Sequence, residues 1–110
     1  MIKPGFTEKV WLACSEIPKG KLTTYGQLAI ALNKPKAFRA VGNALNKNPN
    51  APHVPCHRVI ASNGALGGYA FGLRKKTLLL KKEGIKVKNN KVLNLESVLI
   101  TGKDLKKWLH

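Results

Sequence analysis

Residues 24–46 read TYGQLAIALNKPKAFRAVGNALN, and this stretch decides the fold because it predicts two short helices in tandem. Thr24 and Gln27 have the spacing of a capping box, which starts a helix. The apolar face of that helix follows at helical spacing and comprises Tyr25, Leu28, Ala29 and Leu32. Residues 33–35 should end it, and Pro35 is suited to the first turn of a second helix.

The second helix is predicted to have one buried and one exposed face. Its core face holds the apolar residues at i, i+3 and i+7, which are Phe38, Val41 and Leu45. Its outer face holds Arg39, Gly42, Asn43 and Asn46. Such side chains can hydrogen-bond nucleic acid, and a glycine lets another backbone approach closely. The pair therefore resembles a helix-turn-helix, although an ordinary helical hairpin with a solvated face is the commoner source of this pattern.

The charge balance favours a polyanionic partner. The chain has 20 Lys and Arg against 5 Asp and Glu, a net charge of +15 over 110 residues. Nucleic acid is the favoured partner, ahead of an anionic membrane face, and a solvated lysine-rich surface is the alternative. No apolar run of about 18 residues predicts a membrane span, and the N-terminus does not resemble a signal peptide. Two cysteines without a framework spacing indicate a reducing, intracellular setting, which we expect to be the cytoplasm, or the nucleus in a eukaryote.

Residues 54–60, VPCHRVI, contain the candidate chemistry. A nucleophilic cysteine gains from a nearby base or cation, and Cys56 is followed by His57 and Arg58. Neighbouring side chains on a strand point to opposite faces, so their contact requires a kinked backbone or a bridging water. A small buried apolar residue is the alternative interpretation of Cys56. Cys14 is predicted to be buried and inert.

That prediction rests on the first helix. We expect it to start near Phe6 with Thr7 as its N-cap, and to end at the turn of residues 18–20. Its core face recurs at helical spacing and comprises Val10, Trp11, Cys14 and Ile17.

The second half predicts one long helix, a hairpin and a C-terminal helix. The long helix spans Leu73 to Glu83, with Leu73, Thr77 and Leu80 on one face. Because the helix dipole disfavours a carboxylate at a C-terminus, we expect Glu83 to have a cation or an imidazole as its partner. Exposed pairing with Lys81 or Lys82 is the alternative. The hairpin turns at residues 89–90, and a final helix should dock through Leu105, Trp108 and Leu109.

The glycine-rich stretch 67–72 lacks a preceding strand and the Lys-Ser/Thr ending of a phosphate loop, so we exclude nucleoside triphosphate binding. It is instead predicted to form a wall against which a flat ligand or a backbone packs closely. No cluster of Cys and His has zinc spacing, and we expect neither a metal nor a cofactor.

With these stretches in view, the chain resembles the C-terminal domain of the O6-alkylguanine-DNA alkyltransferases, or methylated-DNA–protein-cysteine methyltransferases. The matching stretches are IPKG (17–20), TYGQLA (24–29), RAVGNA (39–44), NP (48–49), VPCHRVI (54–60), GALGGY (64–69) and LLKKEG (79–84). The resemblance implies a mainly α fold with a small β component, similar to a winged helix-turn-helix. It also implies one domain over residues 1–110, with a core of about 6–93 and a C-terminal extension of 94–110. We expect the family's usual N-terminal domain to be absent.

The resemblance also implies roles for individual residues. Cys56 matches the alkyl acceptor, His57 the base that acts through a water, and Glu83 the carboxylate that orients the histidine. Asn48 ties the second helix to the active-site turn. The bound base would meet Tyr25, the carbonyl of Val59, Tyr69 and Ala70, where many relatives have serine in place of alanine. Arg39 matches the finger that fills the gap of the extruded nucleotide. The remaining DNA-binding positions are Gln27, Gly42, Asn43, Asn46 and Ser62.

The implied function is DNA repair by direct reversal. A monomer would bind double-stranded DNA in the minor groove, flip out an O6-alkylguanine, and transfer the alkyl group to Cys56 in a single turnover. One alternative is a lesion-binding alkyltransferase-like protein, which lacks the thiol. The other is a winged-helix regulator, which leaves Cys56, His57 and Glu83 without a role. Phe38 departs from the family, since a small residue is common there, and it could meet DNA instead of the core.

Overall fold

A computed structural model describes residues 5–51 and 53–109 of the chain. Six helices and a short 3₁₀ turn dominate it: α1 (Phe6–Ser15), α2 (Tyr25–Ala31), α3 (Phe38–Asn46), the 3₁₀ turn (Cys56–Arg58), α4 (Leu73–Lys82), α5 (Leu95–Val98) and α6 (Gly102–Trp108). Four two-residue strands complete it: β1 (Thr23–Thr24), β2 (Val59–Ile60), β3 (Val87–Lys88) and β4 (Lys91–Val92). β1 pairs with β2 in parallel and β3 with β4 antiparallel. The mainly α prediction with a small β component is confirmed.

Helix α1 forms one side of the core. Val10 and Cys14 of its predicted face are buried, and Ile17 is also buried although the helix ends two residues before it. The predicted cap is wrong: α1 begins at Phe6 after Gly5, so Thr7 lies inside the first turn, and no side chain caps the helix. Trp11 is only partly buried, and its indole N–H donates to the carbonyl of Ala44 at 2.8 Å. This bond fixes α1 to the C-terminal half of α3.

Helices α2 and α3 form the predicted tandem pair. Thr24 caps α2 by accepting the backbone N–H of Gln27 at 3.1 Å. The reciprocal half of the capping box is not formed, because the side-chain oxygen of Gln27 accepts the N–H of Gly102 at 2.7 Å. Helix α3 begins at Phe38, three residues after Pro35, because a separate turn intervenes in which the N–H of Ala37 donates to the carbonyl of Lys34 at 2.8 Å.

This late start of α3 changes the position of Phe38. Val41 and Leu45 are buried as predicted, but Phe38 is 48% exposed, so its assignment to the core is wrong. Side chains of a helix lean toward its N-terminus, and the ring of the first residue therefore projects beyond the layer in which the later residues pack.

The C-terminal segment, residues 86–109, packs on the scaffold at three places. Its hairpin has the predicted turn, with Asn89 and Asn90 at φ 52° and 59°. The hairpin pairs with the loop after β2, because Val92 donates its N–H to the carbonyl of Gly64 at 2.9 Å. Residues 98–100 run beside β1, and the N–H of Leu22 donates to the carbonyl of Val98 at 2.9 Å.

The third contact of the C-terminal segment is between α6 and α2. Leu105 is buried there, as predicted, whereas Trp108 is 45% exposed and does not dock as expected. A Cβ at Gly102 would clash with the carbonyl of Gln27, so only glycine permits this close approach. Among the described residues no helix has both the length and the apolar character needed to cross a membrane.

Candidate active site

Cys56 is the first residue of the 3₁₀ turn, immediately before β2. The turn supplies the kinked backbone that a contact between neighbouring side chains requires. Cys56 is 5% exposed and borders a cavity of about 280 Å³. The other residues that line this cavity are Tyr25, Phe38, Arg39, Gly42, Asn43, Leu45, Asn46, Gly68 and Tyr69. The sulfur is therefore reachable from the outer face of α3, as a nucleophile requires.

Glu83, the C-cap of α4, links to both residues that follow Cys56. Its Oε2 lies 3.1 Å from Nε2 of His57. Arg58 donates to both carboxylate oxygens, from Nε at 2.8 Å and from Nη2 at 2.6 Å. The expectation of a cation or an imidazole partner is confirmed for both. Among the described residues Glu83 forms no ion pair with Lys81 or Lys82.

The charge states of this group follow from its burial and hydrogen bonds. Burial alone would raise the pKa of Glu83, but hydrogen bonds from Arg58 and His57 outweigh it and hold that pKa below its usual value. Burial lowers the pKa of His57 and, together with the charges of Arg58 and Lys76, outweighs the hydrogen bond and charge of Glu83, which raise it. A neutral His57 facing an ionised Glu83 carries its proton on Nε2. Its Nδ1 is buried, has no partner among the described residues, and is the free basic atom.

Acid should destabilise the fold through these two groups. The ordinary pKa values are 4.5 for Glu83 and 6.5 for His57, and both are lower in the folded protein. The unfolded chain therefore binds more protons as the pH falls below 6.5, so stability present above that pH is lost as the pH falls through the folded values. Melting temperatures measured from about pH 7 to about pH 3 should decrease, and those of a double variant that lacks both groups, His57→Gln with Glu83→Gln, should decrease less. Equal slopes in the two proteins would contradict this assignment.

The thiol itself is protonated at rest. Burial raises the pKa of Cys56, and the Asn48 amide and the charge of Lys76 oppose this only in part. Asn48 holds the loop ahead of the thiol, since its Nδ2 donates to the carbonyl of Val54 at 2.8 Å and its Oδ1 accepts the N–H of Asn50 at 2.9 Å. Cys56 therefore needs a base to become a nucleophile.

Lys76 is the site residue that the sequence reasoning missed. It lies on α4 with 0% exposure, although it stands in a lysine-rich run. Its Nζ donates to the carbonyls of Val59 at 2.8 Å and Gly68 at 3.0 Å, and also to that of Leu66. Burial lowers its pKa to about 8. Helical spacing offered a signal, because Lys76 precedes buried Leu80 by four residues, whereas Leu73 of the predicted face is exposed.

The glycine-rich loop packs closely against the side chain of Tyr25, whereas its composition predicted a close contact with a flat ligand or a backbone. A Cβ at Gly67, where φ is +70°, would lie 2.6 Å from the Tyr25 hydroxyl oxygen. That hydroxyl lies 3.4 Å from the carbonyl of Gly68 and 3.5 Å from Nζ of Lys76. The lysine also faces the Tyr25 ring, 5.8 Å from its centroid. Tyr25 is thereby held at the cavity with a buried cation behind its hydroxyl.

The other residues predicted to meet the base differ in position. Tyr69 borders the cavity and is partly buried, whereas Ala70 is exposed. Val59 is buried, and its carbonyl accepts from Lys76. A carbonyl oxygen has two lone pairs, so this bond leaves capacity for a second donor.

The predicted DNA-binding residues fall into two groups. Arg39, Asn43 and Asn46 are exposed and border the cavity with Gly42. Gln27 is absent from that border, and its side-chain oxygen is engaged with α6. Ser62 is exposed in an adjoining groove, which it shares with Tyr25, Gly26, Phe38 and Ala61. Within residues 5–51 and 53–109, no three His, Cys, Asp or Glu side chains cluster in a way that could hold a metal ion.

Comparison with known proteins agrees with this geometry. Residues 5–85 match the sequence profile of a family described as 6-O-methylguanine DNA methyltransferase, DNA binding domain. The chain belongs to this family. The resemblance that the sequence motifs indicated is thereby confirmed, and the match includes Cys56, His57, Lys76 and Glu83.

Curated members of the 6-O-methylguanine DNA methyltransferase family share high sequence identity with this chain. The methylated-DNA–protein-cysteine methyltransferase of Methanosarcina acetivorans is 57% identical over 79 residues, which are 72% of this chain and 51% of that protein. The same-named protein of Salmonella typhimurium is 52% identical over 79 residues, which are 72% of this chain and 46% of that protein. The chain thus spans about half the length of these relatives.

Solved structures of similar proteins contain DNA. Mycobacterium tuberculosis OGT in complex with DNA has a TM-score of 0.71 and 36% identity, covering 94% of this chain and 57% of that one. Schizosaccharomyces pombe Atl1, in complex with damaged DNA containing O6-carboxymethylguanine, has a TM-score of 0.78 and 32% identity. That match covers 92% of this chain and 99% of Atl1. The helix-turn-helix-like fold is confirmed.

Proposed function

We propose that this protein repairs DNA by moving an alkyl group from O6 of guanine to Sγ of Cys56. The observation that carries the proposal is the cavity beside α3, in which a reachable thiol is followed by the linked pair His57 and Glu83. A family profile whose description names 6-O-methylguanine supports the same substrate. A base-sized cavity bordered by the exposed face of a helix-turn-helix suits a nucleotide delivered from DNA.

The proposed reaction begins with removal of the thiol proton. Because burial keeps Cys56 protonated, His57 must accept that proton, and its free Nδ1 is the basic atom that can do so through a bridging water. Ionised Glu83 stabilises the resulting imidazolium. The thiolate then attacks the alkyl carbon, so a sulfur–carbon bond forms as the bond from carbon to O6 breaks.

The leaving guanine takes the electron pair of the broken bond and needs a proton or a hydrogen bond. Tyr25 is suited to donate it, because its hydroxyl borders the cavity with Nζ of Lys76 3.5 Å behind it. A lysine with a pKa near 8 can replace the proton that the tyrosine gives away. The product is intact guanine and an alkylated Cys56. Since nothing regenerates the thiol, each chain acts once.

Access to the lesion requires the nucleotide to leave the stack. Flipping a base costs a few kcal/mol, and less when the base pair is already weakened. Arg39 lies on the outer face of α3 at the cavity, where it can fill the gap in the duplex. Gly42, Asn43 and Asn46 continue that face along the minor groove. The net charge of +15 adds phosphate contacts without sequence preference, as repair at any position requires.

The proposal is tested by the intact mass of the protein after incubation with a duplex that contains O6-methylguanine. We expect one methyl group per chain, located on the peptide that contains Cys56. The same duplex with unmodified guanine is the control and should add nothing. A methyl group on Cys14, or no added mass, would refute transfer to Cys56.

A second candidate function is lesion binding without transfer. Similarity to Atl1 over 99% of that chain favours it. Such a protein would bind the methylated duplex in preference to the control duplex while its mass stays unchanged. The mass experiment, combined with a binding measurement on the same two duplexes, therefore distinguishes the two functions.

A further inference from the structure

Phe38 is a large apolar side chain that lies half exposed at the edge of the active-site cavity. It borders both this cavity and the adjoining groove that contains Gly26 and Ser62. Its ring therefore stands between the cavity that holds Cys56 and the groove beside it. Val41 and Leu45 provide the buried face of α3, so the fold does not need the ring there.

The surface around Phe38 is basic. Lys34 and Lys36 lie in the turn just ahead of it, Arg39 follows it, and all three are exposed. A partner that fits this surface has negative charges on its exterior, which pair with the cations, and flat apolar surfaces in its interior, against which the ring can stack. Double-stranded DNA meets both conditions, because its phosphates face outward and its bases stack.

We propose that Phe38 inserts its ring into the base stack beside the flipped nucleotide, next to Arg39. The inference rests on the proposed function and adds a second inserted side chain to it. Consecutive helix residues are about 100° apart, so the two side chains leave α3 in different directions. Arg39 occupies the gap of the lost base, and Phe38 stacks on the neighbouring base pair. Apolar side chains inserted from the minor groove unstack and kink a duplex in this way.

The test compares Phe38→Ala with a matched control, Trp108→Ala. Trp108 is 45% exposed, against 48% for Phe38, and lies on α6 outside the residues that border the cavity. Three quantities are measured for each protein: affinity for the O6-methylguanine duplex, fluorescence of 2-aminopurine placed beside the lesion, and the rate of transfer from free O6-benzylguanine base.

We expect Phe38→Ala to bind the duplex about 5- to 150-fold more weakly, which is the contribution of one stacked ring expressed as a ratio. The 2-aminopurine signal, which rises when its base unstacks, should rise less than with the wild type. Transfer from the free base, which has no stack for the ring to enter, should slow much less than duplex binding weakens, and Trp108→Ala should match the wild type in all three measurements.

Duplex affinity within about twofold of the wild type would overturn the inference. Equal losses with the duplex and with the free base would also overturn it, since they would show that Phe38 only supports the cavity. If the wild type transfers nothing to Cys56, the proposed function fails. Duplex affinity and 2-aminopurine fluorescence do not depend on transfer, and they would still decide the role of Phe38.

Discussion

A Cys56→Ser variant should take up no alkyl group from a methylated duplex. An alcohol is far harder to deprotonate than a thiol, and its oxygen is a poorer nucleophile for an alkyl carbon. In the proposed mechanism the neutral His57 is a strong enough base for the thiol but not for a serine hydroxyl. We expect the single-turnover rate to fall on the order of 10⁴-fold or more, so that intact-mass spectra show only unmodified protein.

Cys14→Ala is the matched control for that substitution. Cys14 is buried in the core, and burial raises the pKa of its thiol far above the usual range. The variant should be alkylated once per chain, like the wild type. Cys56→Ser should still bind the methylated duplex within about twofold of the wild type, because the substitution exchanges one atom. An added alkyl mass on Cys56→Ser would exclude the sulfur as the acceptor.

Replacing Glu83 by glutamine should reduce both stability and activity. The guanidinium of Arg58, with a side-chain exposure of 15%, would lose its counter-charge. Removing the charge from one partner of this part-buried, hydrogen-bonded pair costs about 1 to 3 kcal/mol, which a urea unfolding curve will detect. The imidazolium formed during thiol deprotonation would also lose its stabilising charge, and burial would lower the pKa of His57 further. Transfer should slow by about 10²- to 10³-fold.

Glu96→Gln makes the same chemical change at an exposed position on α5 and provides the control. Its free energy of unfolding should change by less than about 0.5 kcal/mol, and its transfer rate should match the wild type. Should Glu83→Gln lose stability but keep the wild-type rate at temperatures where it is folded, Glu83 would be structural only.

The sequence predicted correctly those features of the fold and the site that depend on residues close together in the chain. Helical periodicity identified α1, α2 and the buried residues of α3. The sequence predicted a specific partner for Glu83 because the helix dipole makes a carboxylate at a helix C-terminus unfavourable unless a positive group or hydrogen-bond donor stabilises it. The resemblance to the family then implied His57 as that partner, whereas nothing in the sequence singled out Arg58.

The errors occurred where tertiary structure overrides local preference. Pro35 suits a first helical turn, yet a separate turn delays α3 and moves Phe38 out of the core. Lys76 resembles its exposed neighbours in composition. Its burial is stabilised by the carbonyls of Val59, Leu66 and Gly68, which converge on its Nζ, and periodicity within α4 cannot show that convergence.

The family profile ends at residue 85, whereas some hydrogen bonds that support the site come from residues after it. Three residues before Tyr25, the N–H of Leu22 donates a hydrogen bond to the carbonyl of Val98. Five residues before Tyr69, the carbonyl of Gly64 accepts a hydrogen bond from the N–H of Val92. A protein shortened to residues 5–85 would keep every candidate catalytic residue. It would lose the two hydrogen bonds that support the segments leading to Tyr25 and Tyr69. The hydrogen-bonded support of the site therefore extends beyond the matched range, and a transfer of this site into another scaffold should include the strands and loop up to Ile100.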